Sequence, residues 1–332
     1  MVNAALEVLD PGILSTVQDF GRRGYERLGV PHSGACDRWG IAVANVLLGN
    51  IPSAAALEMT LIGPTLRARG PCVVGLGGAD LGAVVLRTGD RVAPGTTHNL
   101  RDGDVLQFPG DSGGMRAYLS LRGGLDVPLS LGSRSTYLPA HLGGIKGRQI
   151  ETGDVIRGIS TAHEEMGARG WPERPSLVSD REPELRVVEG PDASLLPAVL
   201  DTLLRARWVI GPSSDRTGVR LVAGDGQAMP VHPPLVSRPV VWGAIQVPPS
   251  GEPIILQADH QTVGGYPVPA VVITADLPIL AQLRPGGSVG FTLVRQVDAL
   301  AALRDRAETF RRATERLRRD GLWQDLWLNT AG

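Results

Sequence analysis

The chain has 332 residues, 42% of them hydrophobic and 20% charged. That length suits one large or two ordinary domains with a sizeable core, which excludes disorder for the bulk of it. Lys+Arg 33 against Asp+Glu 34 leaves a formal net charge of -1, which argues against a broad electrostatic grip on nucleic acid.

Gly 43 and Pro 26 exceed ordinary usage without a collagen period, which predicts many turns and short strands. Leu6-Glu7-Val8-Leu9 reads as a first strand, ended by Asp10-Pro11-Gly12. Ile41 to Leu48 is the best early helix, with Asp37 placed to cap it and Gly49 to end it. Apolar runs then recur at Leu57 to Ile62, Cys72 to Leu76, Ala83 to Leu86, Asp104 to Phe108 and Arg116 to Leu121. Gly89-Asp90, Asp102-Gly103-Asp104 and Gly153-Asp154 punctuate them, in the rhythm of a sandwich or barrel.

Residues 160–184 are polar and Pro-bearing, and they predict a linker. A new strand starts at Leu185 to Val188, followed by a helix over Ala193 to Leu204 and a strand at Trp208-Val209-Ile210. Ile254 to Ala258 and Val271 to Ile273 are β-prone. Leu300, Leu303, Ala307, Phe310, Thr314 and Leu317 step by three and four residues, which predicts one helix face. Glu308/Arg312 and Glu315/Arg319 place the acid four residues before the base, the better orientation. The simpler reading is a terminal helix packed on its own domain. The functional one is a docking helix, with Leu322-Trp323 and Leu326-Trp327 adding aromatic surface. The expected division is 1–170, 171–297, and a helix and tail over 298–332.

Cys36 and Cys72 fall outside any CxxC spacing, which predicts reduced thiols in a cytoplasmic protein. Met1 to Asp10 lacks the basic and apolar regions of a signal peptide, and no stretch approaches the ~18 apolar residues of a membrane span. Lys146 is the one lysine, and its Gly143-Gly144-Ile145-Lys146-Gly147 setting is not a P-loop. Val73 to Asp80 mimics a dinucleotide fingerprint but has Asp80 where the third glycine belongs, and a strand and turn follow it. His32, His98, His141, His163, His232 and His260 show no i,i+3 or i,i+4 pair, so no local zinc motif exists and no metal site is expected. Gly211-Pro212-Ser213-Ser214-Asp215 is not a nucleophile elbow, because Asp215 replaces its second glycine.

Polar groups crowd among glycines in five places: Gln18 to Arg22, Gly29 to Asp37, Gly132 to Thr136, Pro212 to Gly218, and Gln257 to Pro267. Glycine admits close backbone approach, while Arg, Asp and Gln supply directional hydrogen bonds. Such loops suit an amide, carboxylate or phosphate. The competing reading is that Asp–Arg pairs merely staple turns.

These clusters carry a resemblance. Gln18-Asp19-x-Gly21-Arg22, Gly29-Val30-Pro31-x-Ser33-Gly34-x-x-Asp37, Ala56-Leu57-Glu58, Gly78-Ala79-Asp80-Leu81-Gly82 and Arg122-Gly123-Gly124 occur in a family's order. So do Leu131-Gly132-Ser133-Arg134-Ser135-Thr136, Ser214-Asp215-Arg216-x-Gly218, Gly243 to Pro248 and Gln261-Thr262-x-Gly264-Gly265-Tyr266-Pro267. From about Leu6 to about Val294 the chain resembles allophanate hydrolase subunit 2. That family includes the C-type subunit of the prokaryotic 5-oxoprolinase and the regulator KipA, and it is similar to part of the carboxyltransferase region of urea carboxylase.

The resemblance implies a mainly β fold of two cyclophilin-like β-barrel domains, with a few short helices and a C-terminal helix. It implies work beside a KipI-like subunit (allophanate hydrolase subunit 1, or the B-type subunit of 5-oxoprolinase) and in some systems a third, lactam-binding subunit. The implied activity is ATP-dependent opening of 5-oxoproline to glutamate, with ATP and Mg. The alternatives are a biotin-dependent urea or amide carboxyltransferase half, without biotin on this chain, and a KipA-like protein that sequesters a KipI-like inhibitor. No nucleic acid or membrane partner is expected. From residue type, Asp19, Arg22, Asp37, Asp215, Arg216 and Asp259 are the catalytic candidates. Ser33, Arg134, Gln246, Gln261, Thr262 and Tyr266 are the substrate-binding candidates.

Overall fold

A computed structural model describes residues 4–110, 113–159, 167–172, 183–224, 229, 233 and 235–319. The chain forms two units. The first comprises Met1–Gly21, Asp37–Ser176 and Arg306–Gly332; the second comprises Arg22–Cys36 and Leu177–Asp305. Neither is a single run of sequence. The segment 22–36, expected within 1–170, belongs to the second unit, and the C-terminal helix is divided at Asp305.

The first unit has two antiparallel sheets. One runs in the order Val155–Arg157, Ala5–Asp10, Thr65–Arg69, Val105–Gln107, Val84–Val85, Asp90–Arg91. The other runs Leu14–Gln18, Ala56–Thr60, Gly113–Leu121, Cys72–Asp80, Thr97–Leu100. Alternation explains their faces. Leu6 and Val8 point into the core while Glu7 meets Arg69 at 2.9 Å across the strand pair. Leu66 and Ala68 are buried between the outward Arg67 and Arg69. Leu57, Met59, Leu119 and Leu121 fill the same core, each contributing about 1.5–3 kcal/mol on burial.

The helix Arg38–Leu47 starts where the sequence places its cap. The Asp37 carboxylate accepts from the backbone N–H groups of Trp39 at 3.0 Å and Gly40 at 2.8 Å. This helix lies on the strand Cys72–Asp80, whose glycines are required by contact and not by a ligand. A Cβ at Gly77 would stand 2.1 Å from the Gly40 carbonyl oxygen, and one at Gly75 would stand 2.4 Å from that of Ala44. The strand runs unbroken through the fingerprint-like segment.

The second unit is a closed barrel. Its order is Glu184–Glu189, Ala270–Val272, Ala244–Gln246, Ile254–Leu256, Gly218–Ala223, Trp208–Ile210, Ser288–Leu293, and the last strand returns parallel to the first. Leu185, Val187, Trp208, Ile245, Ile255 and Phe291 fill it. The helix expected over 193–204 covers only Pro197–Arg205. Proline disfavours helical backbone in the residue before it and suits the first helical position, so the helix starts there.

The helix Gln296–Arg319 has the expected period but not one continuous buried face. Leu300 and Leu303 are exposed, whereas Ala313 and Leu317 are buried. Phe310 sits 5.1 Å from the Trp39 ring and 5.2 Å from that of Trp171. The composition around Trp171 predicts a polar linker. Residues 167–172 instead pack in the first unit, Trp171 donating from its backbone N–H to Gly95 at 2.6 Å. The indole packs against Phe310, while its Nε1 has no hydrogen-bond partner among the described residues. Glu308 and Arg312 pair at 2.7 Å, and Arg311 also pairs with Glu308 and Glu315. The Arg319 side chain, Trp323, Trp327, His163 and His232 lie outside the described residues.

Candidate functional site

In the first unit Asp19 follows the strand Leu14–Gln18, and the Gly132–Thr136 loop folds onto it. Its carboxylate accepts from the Gly21 N–H at 2.7 Å, the Arg134 N–H at 2.6 Å, the Ser133 hydroxyl at 2.6 Å and the Ser135 hydroxyl at 2.5 Å. Three of these donors converge on Oδ1 and one on Oδ2. They fix its position at the edge of a cleft of about 380 Å³. Arg134 lines the same cleft. Its Nε donates to the Val127 carbonyl at 2.9 Å, and among the described residues no carboxylate pairs with its guanidinium. A fixed anion and an uncommitted cation thus border one space, with Phe20, Ile51 and Leu129 as apolar wall.

Asp37 is also in this unit, but it is a helix cap. Its backbone N–H donates to the Tyr118 hydroxyl at 2.8 Å, which in turn donates to Glu58 at 2.7 Å. Glu58 is buried, 3.9 Å from the buried Arg116. The sequence pointed to Glu58 only through its place in a family motif, because a lone Glu in an apolar strand carries no spacing signal.

In the second unit Ser33, Arg216 and Asp259 converge. The Ser33 hydroxyl donates to Asp259 Oδ1 at 2.5 Å. Arg216 donates from Nε to Oδ2 at 2.8 Å and from Nη2 to Oδ1 at 3.1 Å. Nη2 also reaches the Gly34 carbonyl at 2.7 Å, and Nη1 the Cys36 sulfur at 3.3 Å. Ser33 holds φ at 57°, in the left-handed region that non-glycine residues rarely adopt. Its N–H bond to the Ala258 carbonyl at 3.0 Å and its hydroxyl bond to Asp259 keep it there. Arg216 and Asp259 are each 5% exposed, so much of this cluster staples the loops to the barrel.

Gln261 donates to the Gln246 amide oxygen at 2.9 Å. Gln246 is buried and its Nε2 has no partner among the described residues; both amide atoms of buried Gln257 are likewise unpartnered. Such atoms mark places where a polar ligand or water binds. A Cβ at Gly264 would stand 2.6 Å from Gln246 Nε2, so glycine leaves that amide its room. Gln257 is a candidate that sequence reading missed, since it stands only at the edge of a glycine-rich cluster. His260 is buried, its Nδ1 2.6 Å from the Gln261 carbonyl, and burial holds its pKa below the ordinary value despite that contact and Asp259.

Asp215, Thr262 and Tyr266 make no side-chain hydrogen bond to this cluster among the described residues. Asp215 is exposed and accepts from the N–H groups of Thr217 at 2.7 Å and Gly218 at 3.0 Å, a turn staple. Tyr266 is 38% exposed, and Thr262 is half-buried, its carbonyl accepting from Val240. Arg22 is buried, and its N–H donates to the His32 carbonyl at 2.8 Å. Among the described residues no group of three His, Cys, Asp or Glu could hold a metal ion, and no helix is long and apolar enough to cross a membrane. Cys36 and Cys72 are both free and buried.

The fold is that of a carboxyltransferase domain. The family described as carboxyltransferase domain, subdomain A and B, matches residues 28–293, and the chain belongs to it. Within that family it is 34% identical to the C-type subunit of 5-oxoprolinase from Escherichia coli over 315 residues, 94% of this chain and 98% of that one. It is also 34% identical to the C-type subunit of 5-oxoprolinase from Haemophilus influenzae over 313 residues, 92% of this chain and 96% of that one. The crystal structure of the Kluyveromyces lactis urea carboxylase is similar with a TM-score of 0.81 at 31% identity, over 90% of this chain but 28% of that one.

Proposed function

We propose that this chain is the C-type subunit of a cytoplasmic, ATP-dependent 5-oxoprolinase, which opens 5-oxoproline to glutamate together with a KipI-like subunit. The observation that carries this reading is end-to-end correspondence. The chain covers 98% and 96% of two proteins named as C-type subunits of 5-oxoprolinase, against 28% of the urea carboxylase chain.

The chemistry of the residues supports it. A five-membered lactam is a resonance-stabilised amide, and water attack on its carbonyl develops negative charge on oxygen. In this reading Arg134 stabilises that charge from the cleft wall. Asp19, held by four donors, orients the loop that carries Arg134. The Gln246–Gln261 pair is a separate amide-binding candidate within the second unit. Arg134 also fits an anionic phosphate group. A Mg ion fits less well: Asp19 already accepts four hydrogen bonds, three of them at Oδ1, and it is the one carboxylate lining this cleft among the described residues.

The experiment is purification with the KipI-like subunit and a lactam-binding partner, followed by a 5-oxoproline-dependent ATPase assay. Absence of such turnover in the assembled complex rejects the reading. A carboxyltransferase role on urea or a similar amide is the second reading, favoured by the structural similarity to urea carboxylase. Transfer of a carboxyl group from a biotinylated carrier protein, with no 5-oxoproline turnover, would select it.

A further inference from the structure

A second cavity in the first unit, of about 270 Å³, shares no lining residue with the Asp19 cleft. Arg87, Arg101, Arg122, His98 and Asn99 line it, and Asp90 is its one lining carboxylate among the described residues. The charges around it do not cancel. Arg87 spends its fork on Asp104, Nε at 2.5 Å and Nη2 at 3.1 Å. Asp104 also accepts from the Arg101 backbone N–H at 2.8 Å and attracts the Arg101 guanidinium, which itself makes no hydrogen bond or close ion pair among the described residues.

Arg122 is the sharper case. Its Nη1 is shut off from solvent and has no acceptor among the described residues. The neighbouring charge is of the same sign. Burial first, and Arg122 next, push the guanidinium of buried Arg169 down from its ordinary pKa. A solvent-excluded guanidinium N–H without an acceptor is costly, and a second guanidinium beside it adds repulsion. Arg122 also lines the cavity, and an anion there offsets the like-charge repulsion.

We propose that this cavity is a binding site for a phosphate-class oxyanion, either free phosphate or a small phosphomonoester. Guanidinium forks match the paired oxygens of a phosphate bidentately, and several forks around one space favour a doubly charged tetrahedral group over a single carboxylate. The site binds and does not react. The one thiol on its wall, Cys72, is pushed up to about 12 by burial and by Asp104, so it stays protonated and poorly nucleophilic. This inference is independent of the reaction proposed above.

The test uses the full chain, titrated with inorganic phosphate at constant ionic strength and read by calorimetry and by the shift in Tm. The expected result is saturable binding and a rising Tm, with sodium chloride at the same ionic strength giving no such rise. R122Q and R101Q should each weaken phosphate about tenfold to a hundredfold, the loss of one charged hydrogen bond. R205Q, at the exposed end of the helix Pro197–Arg205, should bind phosphate as the wild type does. Glycerol phosphate binding more tightly than phosphate identifies a phosphomonoester as the ligand, and the reverse identifies free phosphate. If R122Q fails to fold, R101Q, whose side chain is exposed, gives the same reading. No saturable response, an equal response to chloride, or unchanged binding in both variants overturns the proposal.

Discussion

Asp259 holds Arg216 through both carboxylate oxygens, Nε to Oδ2 at 2.8 Å and Nη2 to Oδ1 at 3.1 Å. Each residue is 5% exposed. By residue type Arg216 is a catalytic candidate, whose loss would affect ligand binding more than folding. Burial reverses that order, because removing one partner strands a buried charge. Arg216→Ala should destabilise the fold by on the order of 3–5 kcal/mol. Urea denaturation gives the number, and a midpoint unchanged from the wild type would show that the pair serves a ligand and not the fold.

His260 should make stability depend on pH. Burial lowers its folded pKa below the ordinary value of 6.5. The folded state therefore resists protonation while the unfolded state accepts a proton below about 6.5. The stabilisation is complete above that value and is lost as pH falls from it toward the folded pKa. His260→Gln should flatten this limb of the stability curve, measured by denaturation between about pH 5 and pH 7.5. An equally steep limb in the variant assigns the effect to another group.

Gly77→Ala should be costly for a reason unrelated to nucleotide binding. The new Cβ would meet the Gly40 carbonyl oxygen at 2.1 Å, backbone against backbone. Overpacking of this kind costs about 1–3 kcal/mol or more. Gly170→Ala, where a Cβ meets nothing within 4 Å, is the control and should stay within about 0.5 kcal/mol. Equal Tm values for the two variants would contradict the packing argument.

The isolated chain should turn over 5-oxoproline poorly or not at all, since it carries no P-loop and no self-contained nucleophile motif. In the assembled complex Arg134→Gln should lower kcat by about 100-fold to 1,000-fold, the scale for one oxyanion donor. Its Tm should barely move, because the guanidinium has no carboxylate partner among the described residues. A large Tm loss with kcat intact would make Arg134 a structural residue.

Much of the fold was legible in the residues themselves. Strand positions such as Trp208–Ile210 follow from local apolar, β-prone runs, and the cap at Asp37 follows from its place before an apolar helix. These are short-range effects, so neighbouring residues suffice to fix them. The glycine-rich clusters were equally visible, but their purposes were not. Gly75 and Gly77 answer to a helix more than thirty residues earlier in sequence, and Asp259 to Ser33 and Arg216, the former over two hundred residues away. Asp19 and Asp215 look alike in sequence, each an aspartate beside glycine and arginine. One is held by a distant serine loop at the edge of a cleft, while the other closes its own turn in solvent. The division of the chain was hidden for the same reason. Residues 22–36 belong with the barrel because Ser33 and Gly34 bond to Ala258, Asp259 and Arg216, contacts that no local pattern encodes. Local chemistry determined which groups were available, and long-range packing alone decided which of them a ligand can still use.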